Sequence, residues 1–269
     1  MTPEFRERFD AERQRRADEL FAIASLLETW RFTTDAGPVR EAASQCRGNI
    51  RTVRGGDLPD QGRQYWGYEI TGLNISLSPQ RHCRPRKARM DNVRGILSVT
   101  VQEYVPETLE QVGSGYPLLR RLDTDFYFDA VLEADDGFHS MRSAWHLDTH
   151  LHTATDSDSI HPRFHFQVGG DRLDYVDHLI RGVFMPETPR MPAAPLDGIL
   201  AIDFVLAHYC GADWGELRRM DATYRDLGKA PVKRYWGPYF KSISDGIDDL
   251  DSRPDGGDAR VLIPNIFDA

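Results

Sequence analysis

The sequence predicts an α+β fold: an N-terminal amphipathic helix, an antiparallel meander sheet of about five strands, then a C-terminal group of helices packed on or beside the sheet. Three observations predict it. Apolar residues near the N-terminus recur at three- and four-residue steps. Those from Leu73 to Val168 alternate with polar residues, and beyond Leu173 the period becomes helical again.

From Pro3 to Trp30 the apolar positions Phe5, Phe9, Leu20, Phe21, Ala24 and Leu27 form one stripe between Arg and Glu residues, the pattern of a long amphipathic helix. A short helix follows over Pro38 to Cys46. The period then drops to two. Leu73, Ile75 and Leu77, then Leu97, Val99 and Val101, then Phe126, Phe128, Ala130 and Leu132 each alternate with polar neighbours, as strands with one buried face do. Asp135-Asp136-Gly137 is a tight-turn signal, so the strand ending near Ala134 folds back into one beginning near Phe138. Leu173, Val176, Ile180 and Val183 mark a further helix. The segment MPETPRMPAAP, residues 185–195, has four prolines and cannot continue it. Ile199 to Tyr209, Trp214 to Leu227 and Val232 to Ile243 read as helices, with Tyr235, Trp236, Tyr239 and Phe240 clustered as core aromatics. The domain organisation is therefore a helix-plus-sheet unit over 1–184, a Pro-rich connector over 185–195, a helical segment on the same core over 196–244, and an acidic tail with an apolar terminal peptide over 245–269.

A net charge of −9 argues against a general nucleic-acid or membrane-surface binder, which carries excess Lys and Arg. One local exception is PQRHCRPRKARMDNVRG, residues 79–95, whose six cations make 81–94 a candidate contact for the phosphates of a nucleotide, RNA or DNA. Cys46, Cys83 and Cys210 are odd in number and widely spaced, neither a disulfide framework nor a metal knuckle, so a reducing, cytoplasmic setting is expected. No stretch approaches the length of apolar residues that spans a bilayer.

The densest chemistry lies in SAWHLDTHLHTATDSDSIHPRFHFQV, residues 143–168, which holds five of the nine histidines. In a strand, residues two apart share a face. His146, Asp148, His150 and His152 then oppose Trp145, Leu147, Thr149 and Leu151, and His161, Arg163, His165 and Gln167 oppose Pro162, Phe164, Phe166 and Val168. If Thr153 to Ile160 closes a hairpin, a register whose paired numbers sum to about 313 sets His152 opposite His161, His150 opposite Arg163, Asp148 opposite His165 and His146 opposite Gln167. The same register sets Leu147 opposite Phe166 and Trp145 opposite Val168. A one-residue slip mixes the two faces throughout.

Such a face is either a wet or hydrogen-bonded sheet surface or a site. As a site, His150, His152 and His161 are the candidate ligands for Zn, Fe or Mn. Asp148 and His165 supply a fourth ligand, orienting group or general base, and Arg163 suits an anionic oxygen. The run LDTHLHTATD resembles the DxHxH opening of amidohydrolase-type barrels over about ten residues. The residues after it read as helices rather than repeated strand–helix units, so no role is carried over. Two functions are expected: an intracellular interaction or assembly protein that takes a protein partner or self-associates, and, alternatively, a metal-dependent hydrolase acting on a phosphate- or carboxylate-bearing substrate.

Overall fold

The computed structural model describes residues 2–48, 50–54, 60–77, 89–134, 137–149, 164–169 and 191–248. Helices α1 (Pro3–Thr29) and α2 (Gly37–Arg47) precede a sheet, and helices α3 (Gly198–Tyr209), α4 (Gly211–Met220), α5 (Ala222–Pro231) and α6 (Gly237–Asp248) follow it. Four long strands, β2 (Gln64–Ser76), β3 (Arg89–Tyr104), β4 (Leu119–Ala134) and β5 (Gly137–Thr149), are followed by a short β6 (Phe164–Val168). Two-residue segments, β1 (Arg51–Thr52) and β7 (Met191–Pro192), complete the edges. The order is β1-β2-β3-β4-β5-β6-β7 and every pairing is antiparallel, the expected meander with two short edge strands added.

Alternation decides which side of the sheet the helices cover. Ile70, Leu73, Ile75, Leu97, Val99, Val101, Leu122, Phe126, Trp145, Leu147 and Phe164 all lie in one buried cluster with the apolar residues of α1, α2 and α3. A bulge between Ile70 and Leu73, where Gly72 sits at φ 70°, switches the buried positions of β2 from even (Trp66, Tyr68, Ile70) to odd (Leu73, Ile75), so both halves keep their apolar side chains on the core face. Gly67 shows why the β2–β3 seam is tight: a Cβ there would stand 1.9 Å from the Val101 carbonyl oxygen. Ala134 pairs with Gly137, so β4 and β5 join across two residues where the tight-turn signal stands.

Part of the Pro-rich connector is structural. Met191 and Pro192 pair with Phe166 and His165, which makes the extended segment an edge strand, a position that tolerates proline because one side of its backbone needs no partner. The basic run is also partly strand. β3 begins at Arg89, six residues before the expected loop end, and its register places Arg94 opposite Asp129. Residues 81–88 of that run lie outside the described residues, as do the helix expected after Gly170 and residues 249–269.

Two helices replace the single one expected over Trp214 to Leu227. Asp221 leaves the helical region (φ −109°, ψ 110°) and its side chain accepts from Tyr224 N–H at 3.0 Å, so it caps a new helix rather than continuing the old one. The helix expected from Val232 opens instead as a π turn, Val232–Trp236, closed by donation from Gly237 N–H to the Val232 carbonyl. This turn directs Arg234 and Tyr235 inward, while Phe240, expected in the core, is 54% exposed.

The α1 stripe is not apolar throughout. Between Phe9 and Leu20 its buried positions include Glu12, Arg13, Arg16 and Ala17. Arg13 donates to the carbonyls of Cys46 (3.0 Å) and Gly48, satisfying acceptors at the end of α2. Arg16, 3% exposed, donates to Glu12 at 2.8 Å, to Glu103 of β3 at 2.5 Å and to the Tyr235 hydroxyl at 3.0 Å, with Trp66 4.7 Å away across its ring face. Tyr235 donates to the same Glu103 oxygen at 2.5 Å. Burial opposes the Arg16 charge, yet the neighbouring Glu103 carboxylate holds its pKa well above the ordinary value. Beside this group Arg234 bonds Glu19 at 2.9 Å and stands 3.9 Å from Asp197. Asp197 caps α3 by accepting from Leu200 N–H, and Tyr68 accepts from Gly198 N–H.

Glu103→Ala strips the buried Arg16 of its β3 carboxylate, leaving it Glu12 alone, and removes the acceptor of Tyr235; it should cost about 3–5 kcal/mol in urea unfolding. The Arg16→Met/Glu103→Leu double variant should cost less than that single change, because the Arg16 charge goes with its partner while Glu12 keeps Arg15 and Arg234. Asp197 gives a pH signature. Burial pushes its carboxyl up to about 6, against Arg234 and the Leu200 N–H, from an unfolded value of roughly 3.9. The folded state then binds the extra proton, so this group's stabilisation is complete below about pH 4 and is lost as pH rises through about 6. Asp197→Asn, which keeps a cap acceptor, should remove that part of the slope. Urea midpoints of the two proteins measured from about pH 4 to 7 should converge at the acid end; parallel curves would disprove the assignment.

Candidate functional site

The face of β5 and β6 turned away from the helical core carries the polar parity class. The register is the expected one: Trp145 pairs with Val168, His146 with Gln167, Leu147 with Phe166, Asp148 with His165 and Thr149 with Phe164. Pairing of Asp125 with His146 adds β4 to the array. One row is thus Asp125, His146 and Gln167, and the next is Asp148 and His165, with Asp123 set beside Asp148 by one further step of the β4–β5 register.

This array is not an open wet surface. His165 is 1% exposed, Gln167 4% and His146 8%. His165 Nε2 stands 3.0 Å from Asp148 Oδ1, and His146 Nε2 stands 3.8 Å from Asp148 Oδ2. The two imidazoles meet edge to face, 5.9 Å between centroids. One potential ligand atom from each of His146, Asp148 and His165 lies within 4.8 Å of the other two. His146 Nδ1 is buried and finds no hydrogen-bond partner among the described residues. Leaving a buried polar nitrogen in that state costs about 1–3 kcal/mol.

The donor set fits a divalent transition metal. Bonds of about 2.1 Å in a tetrahedral site put donor atoms roughly 3.4 Å apart. The 3.0 and 3.8 Å separations, to the two oxygens of Asp148, bracket that value, and the donor atoms of His146 and His165 lie within 4.8 Å of each other. Two imidazoles and one carboxylate leave coordination positions open for water or substrate.

Comparison of the chain with protein-family models, curated proteins and solved structures finds no match. The site therefore stands on its own geometry.

Of the residues expected to act here, Asp148 and His165 come together as the register required. His150, His152, His161 and Arg163 lie outside the described residues. His146 and Gln167 were placed on this face by parity alone, and His146 joins the His–Asp cluster. Asp123 is an addition. It accepts from Arg121 and from Thr149 N–H at 3.4 Å, and burial, reinforced by the charge of Asp148, raises its carboxyl above the ordinary carboxylate value despite Arg121. The signal for it was available: the Asp135-Asp136-Gly137 turn fixes a register that extends to Asp125 opposite His146 and Asp123 beside Asp148.

The aromatic backing of this face gives a stability test. Trp145, behind His146, lies 5.4 Å from Phe126 and 5.3 Å from both Phe166 and Phe204, and its Nε1 donates to the Tyr209 hydroxyl at 3.0 Å. Trp145→Ala should destabilise the fold by about 3–5 kcal/mol in a chemical melt. A change under 1 kcal/mol would mean that β5 is not anchored to α3 by this ring.

Proposed function

We propose that the protein is a metal-dependent hydrolase whose ion is held by His146, Asp148 and His165 on the β5–β6 face. The observation that carries this reading is the convergence of three buried or half-buried donors of the right chemistry to within 4.8 Å of one another. A bound Zn, Fe or Mn ion supplies Lewis acidity and a water made nucleophilic near neutral pH. Hydrolysis needs no reactant beyond that water, whereas redox chemistry at the same ligands would require a co-substrate. Asp123, on the neighbouring strand and bonded by Arg121, is our candidate to accept a proton or to orient a ligand from outside the first three donors. The expected substrate carries a phosphate or carboxylate.

Metal analysis of untagged protein purified without chelator should find about one equivalent of Zn, Fe or Mn. In calorimetry, saturation at about 100 times Kd adds roughly 2.7 kcal/mol, and hence several degrees to Tm. Asp148→Asn and His165→Ala should each lose the metal and the thermal shift while retaining the fold by circular dichroism. If wild-type protein dialysed against each of the three ions binds none, the metal reading is wrong. The Asp148–His165 pair would then act as a metal-free acid–base couple or serve structure alone.

A further inference from the structure

A second built surface lies far along the chain from the His–Asp array. Between α3, α5 and the π turn runs a groove of ≈ 560 Å³ whose floor includes Ile199, Leu200, Val232 and Trp236. Its edge is cationic in a protein whose net charge is −9. Arg225, Lys229 and Lys233 follow at four-residue steps, so they stand in one row along α5 and into the π turn. All three are exposed. Lys229 pairs with Asp226 at 2.5 Å, but among the described residues neither Arg225 nor Lys233 has a carboxylate partner within ion-pair distance; Arg225 instead bonds the carbonyls of Arg218 and Arg219 at the end of α4. Arg218, a fourth exposed cation lining the groove, lies over the Trp214 ring.

Gly228 lies between the cationic row and the floor. A Cβ built there meets nothing within 4 Å, so the helix leaves open space at the middle of the groove where any larger residue would intrude. Exposed Val232, at 37%, continues the same opening. An apolar floor open along its length with one charged edge is the receiving half of a helix-in-groove contact.

We propose that this groove binds an acidic amphipathic helix of a partner protein, its apolar stripe on Val232 and Trp236 and its carboxylates facing Arg225, Lys229 and Lys233. Four-residue steps on the ligand advance about 6 Å, matching the cationic row on α5. The charged edge sets orientation and partner choice, and apolar burial supplies most of the affinity, because exposed ion pairs each contribute only about 0.2–1 kcal/mol. The groove is independent of the metal reading, so either can fail without the other.

The test uses a fluorescein-labelled helical peptide of roughly 20 residues with a Leu/Trp stripe flanked by Glu at every fourth position, and a twin with Lys in place of Glu, at low salt. Anisotropy with the full chain should give a Kd below about 100 μM for the Glu peptide, at least about tenfold tighter than for the twin and weakening as salt rises. Gly228→Phe should abolish binding without lowering Tm, because it fills the groove and removes a helical glycine. Arg225→Glu with Lys233→Glu should weaken the Glu peptide at least about tenfold. Equal affinity for the two peptides, a Kd above about 1 mM, or binding untouched by Gly228→Phe would overturn the proposal. So would light scattering showing a wild-type dimer that Gly228→Phe converts to monomer, because the occupant would then be a second copy of this chain.

Discussion

A guanidinium buried between a helix and a sheet constrains much of this architecture. Arg16 cannot be left unpaired in the core, since an isolated charge removed from water costs far more than a domain's net stability. Glu103 neutralises it, Glu12 and Tyr235 complete its hydrogen bonds, and Trp66 covers one side. Those partners come from α1, β2, β3 and the π turn, segments separated by up to 219 residues in sequence. Apolar contacts tolerate small slides; a shared carboxylate oxygen at 2.5 Å from two donors does not. The network therefore fixes how the first helix, the sheet and the C-terminal helices meet, and the neighbouring Arg234–Glu19 and Asp197 contacts extend that alignment to the start of α3.

The sheet translates this fixed core into a polar array on its other side. Leu147 and Phe166 face the helices because β5 and β6 pair as they do, and the same pairing puts Asp148 against His165 and His146 against Gln167. Core and polar array are two readings of one register. Packing that holds Trp145 against Phe126, Phe166 and Phe204 thus also helps to hold the imidazoles on the reverse side. A site on rigid strands gains positional accuracy from the core it does not touch.

Much of this was legible in residue order. Parity from Trp145 to Val168 gave both faces and the pairing sum of 313, and the Asp-Asp-Gly turn gave the β4–β5 hairpin, because strand periodicity and turn chemistry are local signals. The Arg16–Glu103 pair was not legible: an arginine among other arginines on a charged helix looks solvated, and its burial depends on a glutamate 87 residues away. Nor was the break at Asp221, where one side chain's preference for capping outweighs a continuous helical pattern. The candidate cluster could be narrowed to a face but not to His146, Asp148 and His165, since parity orders residues by side and leaves separation to twist and side-chain rotamers. Phe240 shows the converse limit, an aromatic at core spacing that ends up in solvent.

The π turn at Val232–Trp236 acts as a phase shifter. One added residue in a helical path rotates everything after it by about 100° relative to an uninterrupted α-helix. That offset lets Arg234 and Tyr235 reach the buried charges while, a few residues on, Tyr239 meets Tyr116 at 5.6 Å and Phe164 of β6 at 6.0 Å. Deleting a single residue there would restore regular helical geometry yet swing α6 out of phase, parting it from the strand that carries His165. The angular setting of the last helix is thus held by one irregular turn, and through Phe164 that setting reaches the edge of the polar array.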